Sequence, residues 1–253
     1  MTGKLTGVVL SIGLAMSPAP KTEMGAIDII KQGVQAQKEV QAQAAEQAQS
    51  EVQEQTEVTE ISGQAVTETF VMKNEEGLSY VEGVSNVTGK QLATYFEQKG
   101  GVYPAEILAK GGAPDLETFC EFYIEEAKTE NIRADVAFAQ AMKETGFLRF
   151  GGDVSVEQFN FSGLGATGGG VPGNVFVDVQ TGIRAQIQHL KAYATEAPLV
   201  GECVDLRYDY VQKATAPYVE WLGQKENPTG AGWAVAQNYG YDIVSMVEDI
   251  HGN

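Results

Sequence analysis

Apolar and polar positions in the second half of the chain fall into helical stripes. In "DLETFCEFYIEEAK", Phe119, Cys120, Tyr123, Ile124 and Ala127 share one face, after Pro114 and a capping Asp115 that mark a helix start. A second helix, "RADVAFAQAMKET", follows a turn at Asn131. A third, "TGIRAQIQHLKAYAT", turns Ile183, Ile187 and Leu190 inward and leaves Arg184, His189 and Lys191 for solvent-facing or structural positions. "APYVEWLG" and "YDIVSMVEDIH" predict two more helical pieces. Between the second and third helices the pattern changes to short extended pieces joined by glycine, such as "NVFVDV". The class this predicts is α+β, mostly helical, with a small β-hairpin excursion.

The first half reads differently. Residues 31–64 are rich in Gln, Ala and Glu and lack aromatic residues. Helix propensity there is high, yet no heptad seam is sustained, so a solvated, partly helical spacer is expected rather than a coiled coil. The stretch "MTGKLTGVVLSIGLAMSPAP" has one early lysine, an apolar run, then small residues and prolines. It resembles a secretory signal with a thin basic region, a frayed helix being the alternative. The expected organisation is a signal peptide or anchor over 1–26, a spacer over 27–75 and a globular catalytic domain over 76–253.

Charge and composition narrow the partners. With 17 basic and 34 acidic residues the net charge is -17, and no cluster of Lys and Arg offers a phosphate-tracking surface, which argues against nucleic acid. Recognition of an anionic polymer would then be short-range: stacking, hydrogen bonding and shape. Two histidines and two cysteines, with no HExxH or CxxC, argue against a metal site. No cofactor is expected. Whether Cys120 and Cys203 are bonded is left open by spacing alone.

One residue on the second helix carries the chemistry. Ala137, Ala141 and Glu144 fall at i, i+4 and i+7, which sets the carboxylate on the apolar side, in the last turn before Gly146. The negative helix end disfavours an anion there by about 0.3 to 1 kcal/mol. Desolvation works in the same direction, toward a protonated carboxylic acid. Such an acid is what a departing glycosidic oxygen requires.

The blocks "AFAQAMKETGFLRFGGDV", "QFNFSGLGATGGG", "GIRAQIQHLKAYA", "APYVEWLG" and "GWAVAQNYGYDIV" occur in the order seen in bacterial cell-wall glucosaminidases. Over about residues 90 to 253 the chain resembles glycoside hydrolase family 73. The resemblance implies a lysozyme-like fold, a monomer, and an endo-β-N-acetylglucosaminidase that cuts after N-acetylglucosamine in peptidoglycan glycan strands, secreted or held at the bacterial envelope. By the same resemblance Glu144 is the general acid, Tyr239 follows Trp233 and Ala234 in a W-A-x-x-x-x-Y pattern, and Asn160, Phe161 and Gly163 form the N-F-x-G element. Phe147, Asn160, Phe161, Gly163 and Trp233 are expected to contact substrate.

The chain also departs from that family. "SGLGATGGGVPGNVFV" lacks the second acid many members carry, leaving Asp153, Glu157 and Asp178 as the nearest candidates, and "VAQN" stands where T-D-P is usual. Asp178 is the candidate carried as second acid, with a structural role as a helix cap or turn residue the stronger expectation for it. Failing any carboxylate, the substrate acetamido group would act as nucleophile with Tyr239 positioning it.

"GLGATG" matches GxGxxG, but Pro172 and further glycines forbid the helix that would face a pyrophosphate, so no nucleotide is expected. Competing readings are a muramidase or lytic transglycosylase of the same fold, a cysteine peptidase using Cys120 or Cys203 with His189, and an inactive wall-binding module.

Overall fold

The computed structural model describes residues 73–252, which fall within a unit spanning Thr67–Asn253. The leader expected over 1–26 and nearly all of the spacer expected over 27–75 lie outside the described residues. Six α-helices are present among the described residues: α1 (Gly89–Gln98), α2 (Ala105–Leu108), α3 (Leu116–Glu130), α4 (Ala134–Thr145), α5 (Val179–Ala194) and α6 (Tyr239–His251).

Their ends follow local chemistry. Thr88 and Gln91 form a reciprocal capping box at the start of α1. Asp115 accepts from the Thr118 N–H at 2.8 Å to open α3, and Asn131, at φ 55°, closes it in the left-handed region that Asn tolerates. Gly146, at φ 59°, ends α4.

Helix α4 is the centre of the fold. The sequence predicts one apolar face, but the helix is buried on nearly every side, with Ala134 through Met142 all inaccessible. Its alanines are the reason. Small side chains at 134, 137, 139 and 141 let α1, α3, α5 and α6 all approach it. Phe119, Tyr123, Phe138 and Phe161 pack edge to face on one side of it.

Ion pairs fasten the outer helices. Glu126 of α3 pairs with Arg184 of α5 at 2.7 Å, and buried Glu130 with buried Lys191 at 2.8 Å. At the other end of α4, Asp135 receives Arg133 at 2.8 Å and the His251 ring of α6 at 2.7 Å. Burial alone would raise the Asp135 pKa, but His251 and Arg133 reverse that and hold it at about 2.

Two expectations change. The extended pieces do not build a hairpin of strands: between 163 and 177 the only pairing is an isolated antiparallel bridge, Gly168 to Val171. Three consecutive glycines, Gly168, Gly169 and Gly170, all have positive φ, and they supply no side chains for cross-strand pairs. "APYVEWLG" closes into a short 3₁₀ turn, Val219–Leu222, in place of an α-helix. Cys120 is buried and Cys203 exposed, each a free thiol.

Replacing Asp135 with Asn leaves buried Arg133 without its counter-charge, and denaturant melts should show a loss of about 3 kcal/mol. Because the Asp135 pKa is lowered on folding, its contribution is full above the ordinary carboxylate range and disappears as pH falls toward about 2. Melts of the unaltered chain should lose that stability between about pH 5 and pH 2, and those of the Asn variant should lose less.

Candidate active site

Glu144 ends α4 beside an open cavity of about 200 Å³, which it lines with Thr145, Phe150, Asp153, Asn160 and Gly163. The residue is open to solvent on that side. Its carboxyl is otherwise closely surrounded by protein, and this desolvation raises its pKa above the usual glutamate range. The Tyr239 hydrogen bond, the Lys143 charge and Trp233 oppose the rise without cancelling it.

The polar contacts behind Glu144 form a directed series. The carbonyl of Ala137 can only accept, so Gln186 points Nε2 at it, at 2.9 Å. The same Nε2 donates to Gln140 Oε1 at 2.9 Å, and Gln186 Oε1 accepts from the Tyr123 hydroxyl at 2.9 Å. With its oxygen taken, Gln140 donates from Nε2 to the Tyr239 hydroxyl at 3.2 Å. Tyr239 then has its own proton to give, and it donates to Glu144 Oε1. Oε1 of Glu144 is thereby an acceptor toward Tyr239, whether the carboxyl is neutral or ionised.

Tyr239 reaches this position from the first residue of α6. Gly240 beside it lets the backbone settle on the 219–222 turn, where a Cβ would meet the Val219 carbonyl at 2.1 Å. Burial keeps the phenol neutral by pushing its pKa up, with Glu144 adding to the shift. Lys143 sits 5.5 Å from the Tyr239 ring centroid and pairs with Asp242 at 2.7 Å.

The chain after Glu144 is strained. Phe147, Leu148 and Phe150 all have φ between 54° and 59°, a conformation costing bulky residues roughly 1 kcal/mol or more each. Packing holds it: Phe147 lies against Tyr95 and Phe96, and Phe150 against Phe161. The Thr145 hydroxyl donates to the Ala141 carbonyl at 2.7 Å and accepts from the Leu148 N–H at 3.0 Å.

Several expected site residues have other positions. Asp178 caps α5, accepting from the Thr181 N–H at 2.7 Å, and does not line the Glu144 cavity, whereas Asp153 does. Phe161 is 0% exposed and cannot stack on a sugar. Asn160 lines the cavity but commits its amide to the loop: Nδ2 donates to the Leu164 and Asn174 carbonyls, and Oδ1 accepts from the Leu164 N–H. Phe147 is held in the packing of α1. Gly163 and Trp233 border open space. Tyr239 is 3% exposed, with its hydroxyl spent between Gln140 and Glu144, so it positions the acid and has no proton to offer an acetamido group.

The residues missed were uncharged. Gln140 stands four positions before Glu144, and Gln186 shares the stripe of Ile183 and Leu190; a glutamine on an apolar stripe was the available signal. The cysteines fit no nucleophilic site: Cys120 is packed in the core, where burial raises its thiol pKa well above the ordinary value. Among the described residues no group of three or more His, Cys, Asp or Glu could hold a metal ion.

Residues 120–252 match the sequence model of the glucosaminidase family, described as mannosyl-glycoprotein endo-beta-N-acetylglucosaminidase. The chain belongs to this family. The mostly helical architecture agrees with a lysozyme-like glucosaminidase domain. An uncharacterized protein of Borreliella burgdorferi is 43% identical over 117 residues, covering 46% of this chain and 57% of that protein. The match thus spans little more than half the length of that relative. No solved structure matches the chain.

Carbon-detected titration should find Glu144 protonating above the ordinary glutamate range. In Tyr239→Phe the carboxylate loses a donor, so the midpoint should move higher still. An unchanged midpoint would mean that the phenol does not stabilise the anion.

Proposed function

We propose that the chain is a peptidoglycan hydrolase that cleaves the β-1,4 linkage after N-acetylglucosamine, with Glu144 as general acid. The observation that carries this is the setting of the carboxyl: desolvated, with its pKa raised, lining an open cavity, and held at Oε1 by Tyr239. The family membership supports a glycan as the substrate.

In this reading Oε2 of Glu144 gives its proton to the glycosidic oxygen as the bond from C1 to that oxygen breaks, and the positive charge develops on the sugar ring. Asp153 is the second carboxylate. It lines the same cavity, and its Oδ1 accepts from the Gly170 N–H at 3.0 Å, which steadies the anion. It takes a proton from the water that attacks C1. Bond cleavage leaves Glu144 ionised and Asp153 protonated, and proton exchange with solvent restores both.

The seat of Asp153 on a loop that includes Gly151 and Gly152 lets the base adjust as a strand is bound. Such a substrate lies outside the cytoplasmic membrane, so the reading also requires export, for which the apolar stretch before Pro18 is the candidate signal.

Mass spectrometry of products from purified cell-wall strands should show N-acetylglucosamine at the new reducing end. Reducing or anhydro muramic acid would reassign the cut to the other linkage.

Glu144→Gln should lower kcat by about 10³-fold and Asp153→Asn by about 10²-fold, in line with general acid and base contributions. Asp178→Ala should keep kcat within about twofold while costing about 1 kcal/mol of stability through the lost cap. If Asp178→Ala lost activity as Asp153→Asn is expected to, the second acid would have to be reassigned.

A further inference from the structure

Tyr239 gives Glu144 its hydrogen bond from the first residue of α6, so whatever fixes the start of that helix also fixes the donor. The helix does not fix its own start. Asn238 stands at the capping position with φ 59° and ψ 20°, in the left-handed region, and its side chain makes no capping hydrogen bond. A capping residue ordinarily has an extended backbone and a side-chain oxygen that accepts from the first turn. The N–H groups at a helix start have no partner within the helix, which leaves them for an acceptor from elsewhere.

That acceptor is Glu226. Its Oε1 accepts from the Asn238 N–H at 2.8 Å, across twelve positions of chain. A carboxylate also suits the positive end of a helix. Asn238 is exposed, and water would satisfy its N–H as well, but water would not hold it in one place. The other oxygen of Glu226, Oε2, is buried and has no hydrogen-bond partner. Burying it costs the fold, so stability alone does not account for a carboxylate here.

The carboxylate is itself firmly placed. Glu226 and Asn227 both donate their backbone N–H groups to the Gly223 carbonyl, at 3.2 and 3.0 Å. The Asn227 side chain donates to the Thr215 and Trp221 carbonyls at 2.7 and 3.0 Å, which ties the loop to the 219–222 turn. A Cβ at Gly223 would meet Glu226 Oε2 at 2.2 Å, so the glycine leaves the space that the carboxyl fills. Tyr239 is thus flanked by two attachments to one braced segment: Asn238 on Glu226, and Gly240 on the Val219 carbonyl. A displacement of about 1 Å at the Tyr239 hydroxyl would take it beyond hydrogen-bond reach.

We propose that Glu226 is a positioning residue for the acid: it holds the start of α6 so that the Tyr239 hydroxyl stays on Glu144 Oε1. The proposal rests on the reading above in that Glu144 is the general acid.

Carbon-detected titration of Glu144 in the full chain tests this without substrate. Glu226→Ala should raise the midpoint by about 0.5 to 1 pH unit, the net worth of one hydrogen bond to the carboxylate. Glu226→Gln, which keeps an oxygen for the Asn238 N–H, should leave the midpoint where it is. The groups that face the Glu144 carboxyl are Tyr239 from α6, Lys143 from α4, Trp233 from the loop before α6, and Asp153 in the shared cavity. Trp233 follows Glu226 on the same loop, so a Tyr239→Phe background separates the two paths. In that background Glu226→Ala should add no shift.

An unmoved midpoint in folded Glu226→Ala, an equal shift with and without the Tyr239 hydroxyl, or a Glu226→Gln shift as large as that of Ala overturns the proposal. Should Glu226→Ala fail to fold, Gly223→Ala decides: its methyl group displaces the carboxyl, and its φ of -79° suits alanine. A raised midpoint there supports the proposal and an unmoved one overturns it. On cell-wall strands the alkaline limb of kcat/KM should rise with the midpoint in Glu226→Ala, because a general acid acts only while protonated. A midpoint that moves, in a protein whose unaltered form cleaves no strand, would keep Glu226 in this role and remove the glycosidase reading. Cleavage with a midpoint that does not move would do the reverse.

Discussion

One backbone carbonyl sets the polarity of the whole site. Because the oxygen of Ala137 can only accept, each amide and hydroxyl from Gln186 through Gln140 to Tyr239 has a single permitted orientation. The last donor in the series faces Glu144. Hydrogen bonds aligned in this way polarise one another, and in a low-dielectric core a break at any link leaves an unpaired group on both sides. The arrangement determines that Oε1 of Glu144 accepts from Tyr239 and cannot donate to it.

The series runs through the middle of the protein, where a polar group must be satisfied or it destabilises the fold. Helix α4 makes this feasible. Its alanines bring α5 and α6 close enough for glutamine and tyrosine side chains to span the gaps, so the packing that stabilises the helix also aligns the acid. The strained backbone at 147, 148 and 150 is held in place by aromatic contacts to α1 and to Phe161. Strain there turns the chain sharply away from the end of α4 and leaves the Glu144 carboxyl uncovered on the cavity side.

Charge is distributed with the same economy. An acidic chain gains nothing from long-range attraction to an anionic wall polymer, and at physiological ionic strength such attraction fades within about 8 Å. The positive group beside the Glu144 site is local, Lys143 next to Tyr239.

The amino-acid sequence left α1 and α2 unmarked, but by itself it determined α3, α4, α5 and α6, the caps at Asp115 and Asp178 and the placing of Glu144 at the end of a helix. These follow from interactions within about four residues, which periodicity and capping chemistry express directly. The tertiary structure decided which distant groups meet that carboxyl. Tyr239 lies 95 positions from Glu144, and Gln186 lies 46 from Gln140. It also made Asp153 rather than Asp178 the neighbour of the acid, turned Phe161 into core, and set His189 on Asp205 at the edge of a cavity. A residue type states what a side chain can donate or accept, but only the packing of helices far apart in the chain states to whom.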